Sequence, residues 1–406
     1  MIPLEEAEAE VLARCAPLGA RPMGVTEVLG LVLAEAVTAA DPVPPFDNTA
    51  MDGYAVHARD VAGATPERPA RLKVVGTLGA GRAPGDPVGR GEALRIMTGA
   101  PFPDGADAVA IVETTRSEGD DVWVSAPARA GEHVRRAGED VRSGQEVFPA
   151  GAVLGPGHLG VLCSVGRERV AVVPAPSVGV LSTGDELVEV PGALLPGQIR
   201  DSNRLTLMSL LRRDGFGVVD LGIAPDDEAE IERRLHAGAA GCDAVLTSGG
   251  VSMGDFDYVK AVLDRIGAMR WMQVAIRPAK PFAFGVIGST PVFGLPGNPV
   301  SSMVSYELLA RPGLRLMAGH SENELRWPRA PATVDDARGF RSAADRTTFV
   351  RVQVAFGPDG CLHVRSAGGQ GSHQLHAMAM AGGLAVVPAG AEVRDGDRLD
   401  LLVLRP

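Results

Sequence analysis

The stretch LTSGGVSMGDFDYVK, Leu246 to Lys260, decides how the chain is read. A strand-like apolar run, Asp243 to Thr247, ends in paired glycines, a serine and then two aspartates two residues apart. A helical pattern follows at once, with Val259, Val262, Leu263 and Ile266 on one face. Strand, bare turn and helix in direct succession is the repeating unit of a parallel sheet. Such sheets bind ligands outside the carboxyl ends of their strands, where this turn would stand.

The flanks repeat the pattern. SVGVLST, GVVDLGIA, DAVLTSG, PFAFGVI and TPVFGL read as strands between residues 175 and 325. SNRLTLMSLLRRDG, DDEAEIERRLHAG and DFDYVKAVLDRIG read as helices between them. A last helix, NPVSSMVSYELLARPGLRLMAG, begins with Asn298 as its expected cap and Pro299 at its first position. Alternating strand and helix predicts a doubly wound, mostly parallel α/β domain over 175–325.

Upstream, residues 3 to 40 read as helical, with acids at Glu5, Glu6 and Glu8 favouring a helix start and a second helix from Val25 to Ala39. The prolines of DPVPPFDN break that pattern. RLKVVGTLG, ALRIMTGA, AVAIVETT and DVWVSAP, separated by Gly, Pro and Asp, predict a β-rich module. Residues 45–140 therefore read as a β-rich lid inserted into a helical frame made of 1–44 and 141–174. Downstream, TTFVRVQVAF, the turn GPDG and CLHVRS predict a hairpin, and 326–406 reads as a small β barrel.

Composition narrows the function. A net charge of -11 opposes non-specific nucleic-acid binding, and aromatics at 4% give little for bases to stack on. No apolar run reaches membrane-spanning length, and the acidic start MIPLEEAEAEVLARC is unlike a secretory leader, so a cytoplasmic protein is expected. Cys15, Cys163, Cys242 and Cys361 are far apart, which gives neither a disulfide framework nor a thiolate metal site. Histidines are dispersed except His373 and His376, and no Walker motif occurs.

Three turns would share the carboxyl rim of the sheet. STGDEL offers the hydroxyl and backbone of Thr183 and Gly184 beside Asp185 and Glu186. SGGVSMGDFD offers Gly249, Gly250 and Gly254 for close backbone approach, with Ser248 and Ser252 beside Asp255 and Asp257. GLPGNPVSS, with Pro296, Asn298 and Ser301, leads into a helix, whose free N–H groups attract anions. Anion-binding backbone and carboxylates repel a common ligand unless a cation mediates. Magnesium, held by one or two carboxylates and a phosphate, is the expected mediator. Read plainly, Asp255 and Asp257 also cap a helix start. Arg277 and Lys280 flank prolines in AIRPAKPFAF, either as surface charge near a turn or as ligands for a di- or trianion.

In order, FDNTAMDGYAV, RIMTGAPFPDGADAV, AGEDV, STGDEL, DSNR, SGGVSMGDFDYV, RPAKPFAFG, FGLPGNPVSS and GGQGSH occur along the chain. Together they closely resemble the molybdopterin molybdenumtransferase family, homologous to the E domain of gephyrin. The central trio alone also resembles molybdopterin adenylyltransferases and the competence-damage-inducible-like proteins; the lid segments separate the first family from these. The resemblance implies a four-part subunit and a homodimer with its site at the subunit boundary. It implies a magnesium-dependent reaction in which adenylyl-molybdopterin loses AMP and molybdate is placed on the dithiolene. By motif position, Glu186, Asp226 and Asp257 are the central acids, with Glu186 and Asp257 as metal ligands. Asp52, Thr98 and Asp140 match lid positions facing the site from the partner subunit. Arg351, Ser372, Lys280 and Ser301 match positions for molybdate. Molybdopterin adenylyltransferase and molybdoenzyme chaperones fit as further partners.

The chain departs from the pattern at three positions. Gln273 and Arg277 stand where lysines are usual, and Ala279 stands where glycine is usual. Arg277 keeps the charge and gains a planar fork, Gln273 loses it, and Ala279 reads as a small change. Two other functions stay open at this point: an adenylyltransferase acting on molybdopterin, and a gephyrin-like scaffold that binds a partner.

Overall fold

The structure is a computed structural model and describes residues 1–250 and 258–404. They form two compact units, Met1–Arg21 with Gly30–Ala34 and Val172–Pro406, and Pro22–Leu29 with Glu35–Ala171.

The first unit is built on a six-stranded sheet. Its order is Gly217–Ala224, Ser177–Thr183, Ala244–Ser248, Thr290–Leu295, Pro281–Ile287 and Ala268–Gln273. The first four strands are parallel, and the last two are antiparallel additions at the far edge. Alternate residues face opposite ways along a strand. Val178, Val180, Leu246, Phe293 and Leu295 therefore pack against helices Leu4–Leu12, Asn203–Arg213 and Pro299–Ser305. Leu181, Val245 and Val292 pack on the other face against helices Glu228–Gly241 and Tyr258–Ile266. This is the doubly wound arrangement expected from the alternating pattern. The chain leaves Ser177–Thr183 for one neighbour and returns to Ala244–Ser248 on the other side, so the direction of winding switches between these two strands.

Pro299 takes the first position of its helix, as expected, but Asn298 makes no side-chain capping bond. The helix runs on through a π turn, Tyr306–Ala310, into Arg311–Met317. Pro312 has no N–H, and its ring presses on the carbonyl one turn earlier; the wider π turn takes up that mismatch.

The carboxyl-terminal part of this unit is a closed barrel. Strands Thr347–Phe356, Leu362–Ser366, Arg329–Val334, Arg398–Val403 and Gly383–Val387 pair in that order, and the last pairs back on the first. Val350, Val352, Val364 and Leu401 fill its interior. The short strand Ile276–Arg277 joins the barrel beside Thr347 and Thr348, tying it to the chain that feeds the central sheet.

In the second unit a six-stranded sheet runs Ala108–Ile111, Gly53–Val56, Glu92–Ile96, Ala70–Leu78, Asp121–Val124 and Thr115–Glu118. Gly53 has no room for a side chain, since a β-carbon would lie 2.2 Å from Ala110 O. The expected helix over Val25–Ala39 does not form. A short 3-10 turn, Val25–Glu27, is followed by strands Val32–Leu33 and Val37–Thr38. Gly30 between them adopts φ 80, which ends any helix. The β-branched residues gain more by pairing with distant segments: Val32–Leu33 with Val172 and Val173, and Val37–Thr38 with the strand Glu146–Phe148.

Candidate functional site

The carboxyl rim of the central sheet gathers most of the predicted residues. Thr183 and Ser248 end adjacent parallel strands, and both are buried. The turn at Gly249 returns an N–H to Leu295 O at 3.1 Å, locking two neighbouring strand ends together. Gly249 has φ 96, and a β-carbon there would come 3.3 Å from Thr183 O, so the turn lies close against the next strand end. Gly184 donates to Ala224 O at 3.2 Å, which brings in the loop after the edge strand.

That loop carries Asp226. Its N–H donates to Asp185 Oδ1 at 3.0 Å, and Asp185 N–H donates back to Asp226 Oδ2 at 3.5 Å. Each carboxylate thus keeps one oxygen free of this clasp. Glu186 is exposed and folds back over Gly184, its Oε2 lying where a Gly184 β-carbon would be, at 2.4 Å. The Glu186 carboxylate makes neither a hydrogen bond nor an ion pair with any described residue. Asp257, Ser252 and Gly254 lie outside the described residues, so the expected pairing of Glu186 with Asp257 stands as an expectation.

The donor set suits a hard divalent cation. Among the described residues no group of three or more His, Cys, Asp or Glu could hold a metal by itself. Magnesium bound by one or two carboxylates and a ligand's phosphate needs no such group, and the Glu186 carboxylate, without a partner among the described residues, is the kind of oxygen it takes.

A second part of the rim is cationic. The helix start after Pro296–Asn298 is joined to the barrel by Val300 N–H donating to Ser372 O at 3.0 Å. Ser301 is buried in the same turn. Arg351 is 1% exposed and has no carboxylate partner among the described residues. Its Nη2 donates to Gly369 O and Gly371 O at 3.0 and 3.1 Å, while Nε has no partner. Burial, with Arg277 alongside, holds this guanidinium down to about 10. Gln370 fixes the loop by accepting from Arg351 N–H and donating to Arg351 O, both at 3.0 Å. Arg277 is exposed, and Lys280 lies three residues on, its carbonyl accepting from Val274 N–H at 2.7 Å. Ala279 between them has φ 75. An L-residue in that conformation costs roughly 1–2 kcal/mol, so alanine there is not the small change its size suggested.

The lid residues form a group of their own within the second unit. Thr98 donates twice to Asp52, at 2.6 and 2.7 Å, which holds the Asp52 carboxyl below the usual range. Asp47 accepts from Ala137 N–H at 2.8 Å and Arg136 Nη1 at 2.6 Å, and these bonds likewise lower its carboxyl. Asp140 is exposed and its N–H donates to Val43 O at 3.0 Å. The segments FDNTAMDGYAV, MTGAP and AGEDV thus come together in space.

The sequence reading missed two contributors. Asn203, inside the quoted DSNR, donates to Ser248 Oγ and Gly297 O. Gln370, inside GGQGSH, supports the Arg351 loop. The motifs flagged both segments, but the bonds cross long stretches of chain and leave no local spacing.

A winding switch lined with bare turns, a barrel packed beside it and a separate β-rich unit are what comparison with known proteins also finds. Residues 2–166 match the MoeA N-terminal region (domain I and II), 179–316 the probable molybdopterin binding domain, and 334–404 the MoeA C-terminal region (domain IV). In that order they define a multidomain transferase of molybdenum cofactor biosynthesis. The chain is 38% identical to the molybdopterin molybdenumtransferase of Haemophilus influenzae, over 93% of this chain and 92% of that one. It is 37% identical to molybdopterin molybdenumtransferase 2 of Mycobacterium tuberculosis, over 97% and 96%. The crystal structure of the molybdopterin biosynthesis MoeA protein of Pyrococcus horikosii superimposes with a TM-score of 0.80 at 30% identity, covering 100% of both chains. The chain belongs to the molybdopterin molybdenumtransferase family.

Proposed function

We propose that the protein takes adenylyl-molybdopterin, releases AMP and places molybdate on the dithiolene sulfurs. The observation that carries this reading is the meeting of three strand-end turns on one rim beside a Glu186 carboxylate that has no partner among the described residues. The N–H groups of Gly250, Gly297 and Asn298 and the Thr183 hydroxyl would receive the phosphates, with Gly184, Ser248, Gly249 and Pro296 shaping the turns that present them. Glu186 and Asp257 would hold Mg2+, with Asp226 behind them. When bound, the ion supplies the positive charge that lets carboxylates and phosphoanhydride share one rim. Arg277, Arg351, Lys280, Ser301 and Ser372 would receive molybdate as a substrate oxyanion. No cysteine cluster is needed, because the sulfur ligands belong to the pterin.

Asp52, Thr98 and Asp140 would face the rim from a second copy of the chain, so the working form is proposed to be a homodimer. No helix among the described residues is long and apolar enough to cross a membrane. Together with the composition this supports a cytoplasmic enzyme that exchanges its pterin with an adenylyltransferase upstream and a molybdoenzyme chaperone downstream.

The test is purified protein with adenylyl-molybdopterin, magnesium and molybdate, scored for AMP. Molybdate-dependent AMP release is expected. Accumulation of adenylyl-molybdopterin from ATP and molybdopterin would mean an adenylyltransferase instead. Retained ligand binding with no turnover in either assay would mean a scaffold.

A further inference from the structure

Two of the rim turns, Ser248–Gly250 and Pro296–Asn298, follow neighbouring strands, and a side chain from a third element ties them. Asn203, the first residue of helix Asn203–Arg213, donates from Nδ2 to Ser248 Oγ at 2.8 Å and to Gly297 O at 2.7 Å. A carbonyl can only accept, so the amide nitrogen, which alone carries hydrogens, must sit on that side. The turns are in near contact, since a β-carbon on Gly297 would lie 3.8 Å from Gly249 Cα. The clasp is held from behind as well. Arg204 N–H donates to Asp201 Oδ1 at 3.1 Å, and its guanidinium is gripped by Asp201, Asp220 and Glu189. Asp220 lies on the edge strand, so the amide is placed by the sheet and needs no ligand to order it.

We infer that Asn203 is a positioning residue that sets the gap between the two glycine turns, so that the N–H groups of Gly250, Gly297 and Asn298 meet one phosphate-bearing ligand together. It touches no reacting atom. The ligand's identity rests on the reading under Proposed function; the clasp does not. A residue that merely stabilised the fold would lower the melting temperature when replaced and leave the affinity of the surviving folded protein unchanged.

The experiment uses the full chain with Asn203→Ala, Asn203→Asp, Ser248→Ala and the Asn203→Ala/Ser248→Ala pair. Hydrogen exchange is followed at residues 246–250 and 294–298, and AMP release is measured against adenylyl-molybdopterin concentration. In Asn203→Ala, exchange should accelerate in both segments and KM should rise roughly tenfold with kcat within about twofold, the signature of lost binding geometry. Asn203→Asp should be worse, because its carboxylate would face Gly297 O. The two alanine changes should be non-additive, since they cut the same bond. Unchanged exchange in both segments, additive effects, or a lower melting temperature with unchanged KM would overturn the inference. If Asn203→Ala fails to fold, Ser248→Ala, which removes only one acceptor, decides by the same exchange measurement. Wild-type protein that releases no AMP would defeat the functional reading while exchange still decides the clasp.

Discussion

Thr98 gives both its backbone N–H and its hydroxyl to one oxygen, Oδ1 of Asp52. The pairing follows from topology: Gly53 opposes Ile96 in an antiparallel pair, so the residues just outside those strand ends face each other. Two donors on one oxygen favour the ionised carboxylate. Oδ2 has no partner among the described residues and stays available. Thr98→Val keeps the shape and removes the hydroxyl. The Asp52 carboxyl should then titrate nearer the ordinary value, and AMP release should fall on the order of tenfold, while Thr98→Ser retains both properties. Carboxyl-carbon NMR titration and the AMP assay check this. A valine variant that matches wild type in both would make the pair inert.

Glu186 is exposed and has no hydrogen-bond or ion-pair partner among the described residues, so no described contact of the fold depends on its charge. Glu186→Gln should leave the melting temperature unchanged. It should slow single-turnover AMP release by roughly a hundredfold or more, because a charge that acts on the reacting phosphates is lost. The slowed variant should also lose its dependence on magnesium concentration. An equal AMP yield at an equal rate would remove Glu186 from the chemistry.

The central sheet was legible because each of its buried strands is a short apolar run set between amphipathic helices. Ala268–Gln273 was not, because Arg270 and Gln273 interrupt it and an edge strand needs only one covered face. Val25–Ala39 misled for the opposite reason. Its apolar spacing suits a helix, but its partners lie more than a hundred residues away and pairing wins. The rim turns could be read as anion sites from glycine, proline and acid content alone. Their clasp could not: Asn203 reaches partners 45 and 94 residues distant, a relation fixed by winding and not by spacing. Ala279 in a left-handed conformation is likewise invisible, since alanine carries no signal for positive φ.

Glu307 is 2% exposed and holds a buried group of charges together. It takes Arg213 on both oxygens at 2.8 and 3.1 Å and accepts from Trp327 Nε1 at 2.7 Å. Arg311 lies 3.9 Å over the same Trp327 ring. Removing the carboxylate leaves the half-buried Trp327 indole donor without its acceptor, while Arg213, itself partly exposed, keeps its bonds to Asp214 at 3.0 Å. Glu307→Ala should therefore cost about 1–3 kcal/mol, and Glu307→Gln, which keeps an acceptor, should cost less. Urea unfolding at neutral pH measures both. Equal stability of the alanine variant and wild type would show the network to be dispensable.

His320 supplies an acid limit to stability. It is 8% exposed, and Arg315 Nη2 lies 3.2 Å from its Nδ1, so Nδ1 accepts and the ring is neutral. Burial first, then the Arg315 charge, depress its pKa from 6.5 to about 4. In the unfolded chain the same ring titrates normally. Between those two values the unfolded state binds a proton that the folded state refuses, so stability falls as pH drops from 6.5 through 4. Below that both states are protonated and this loss is complete. The difference of about 2.5 units corresponds to about 3 kcal/mol. His320→Gln can still accept from Arg315 but does not titrate, so its stability should fall by about 3 kcal/mol less than that of wild type between pH 7 and pH 4. Carboxylates distant from His320 contribute equally to both proteins and cancel in the difference; Glu324, 3.9 Å from Nδ1, does not, so the comparison is repeated in a Glu324→Gln background. Urea unfolding of the two proteins across that range decides it; parallel curves would mean that His320 is protonated in the folded state and that its burial carries no penalty.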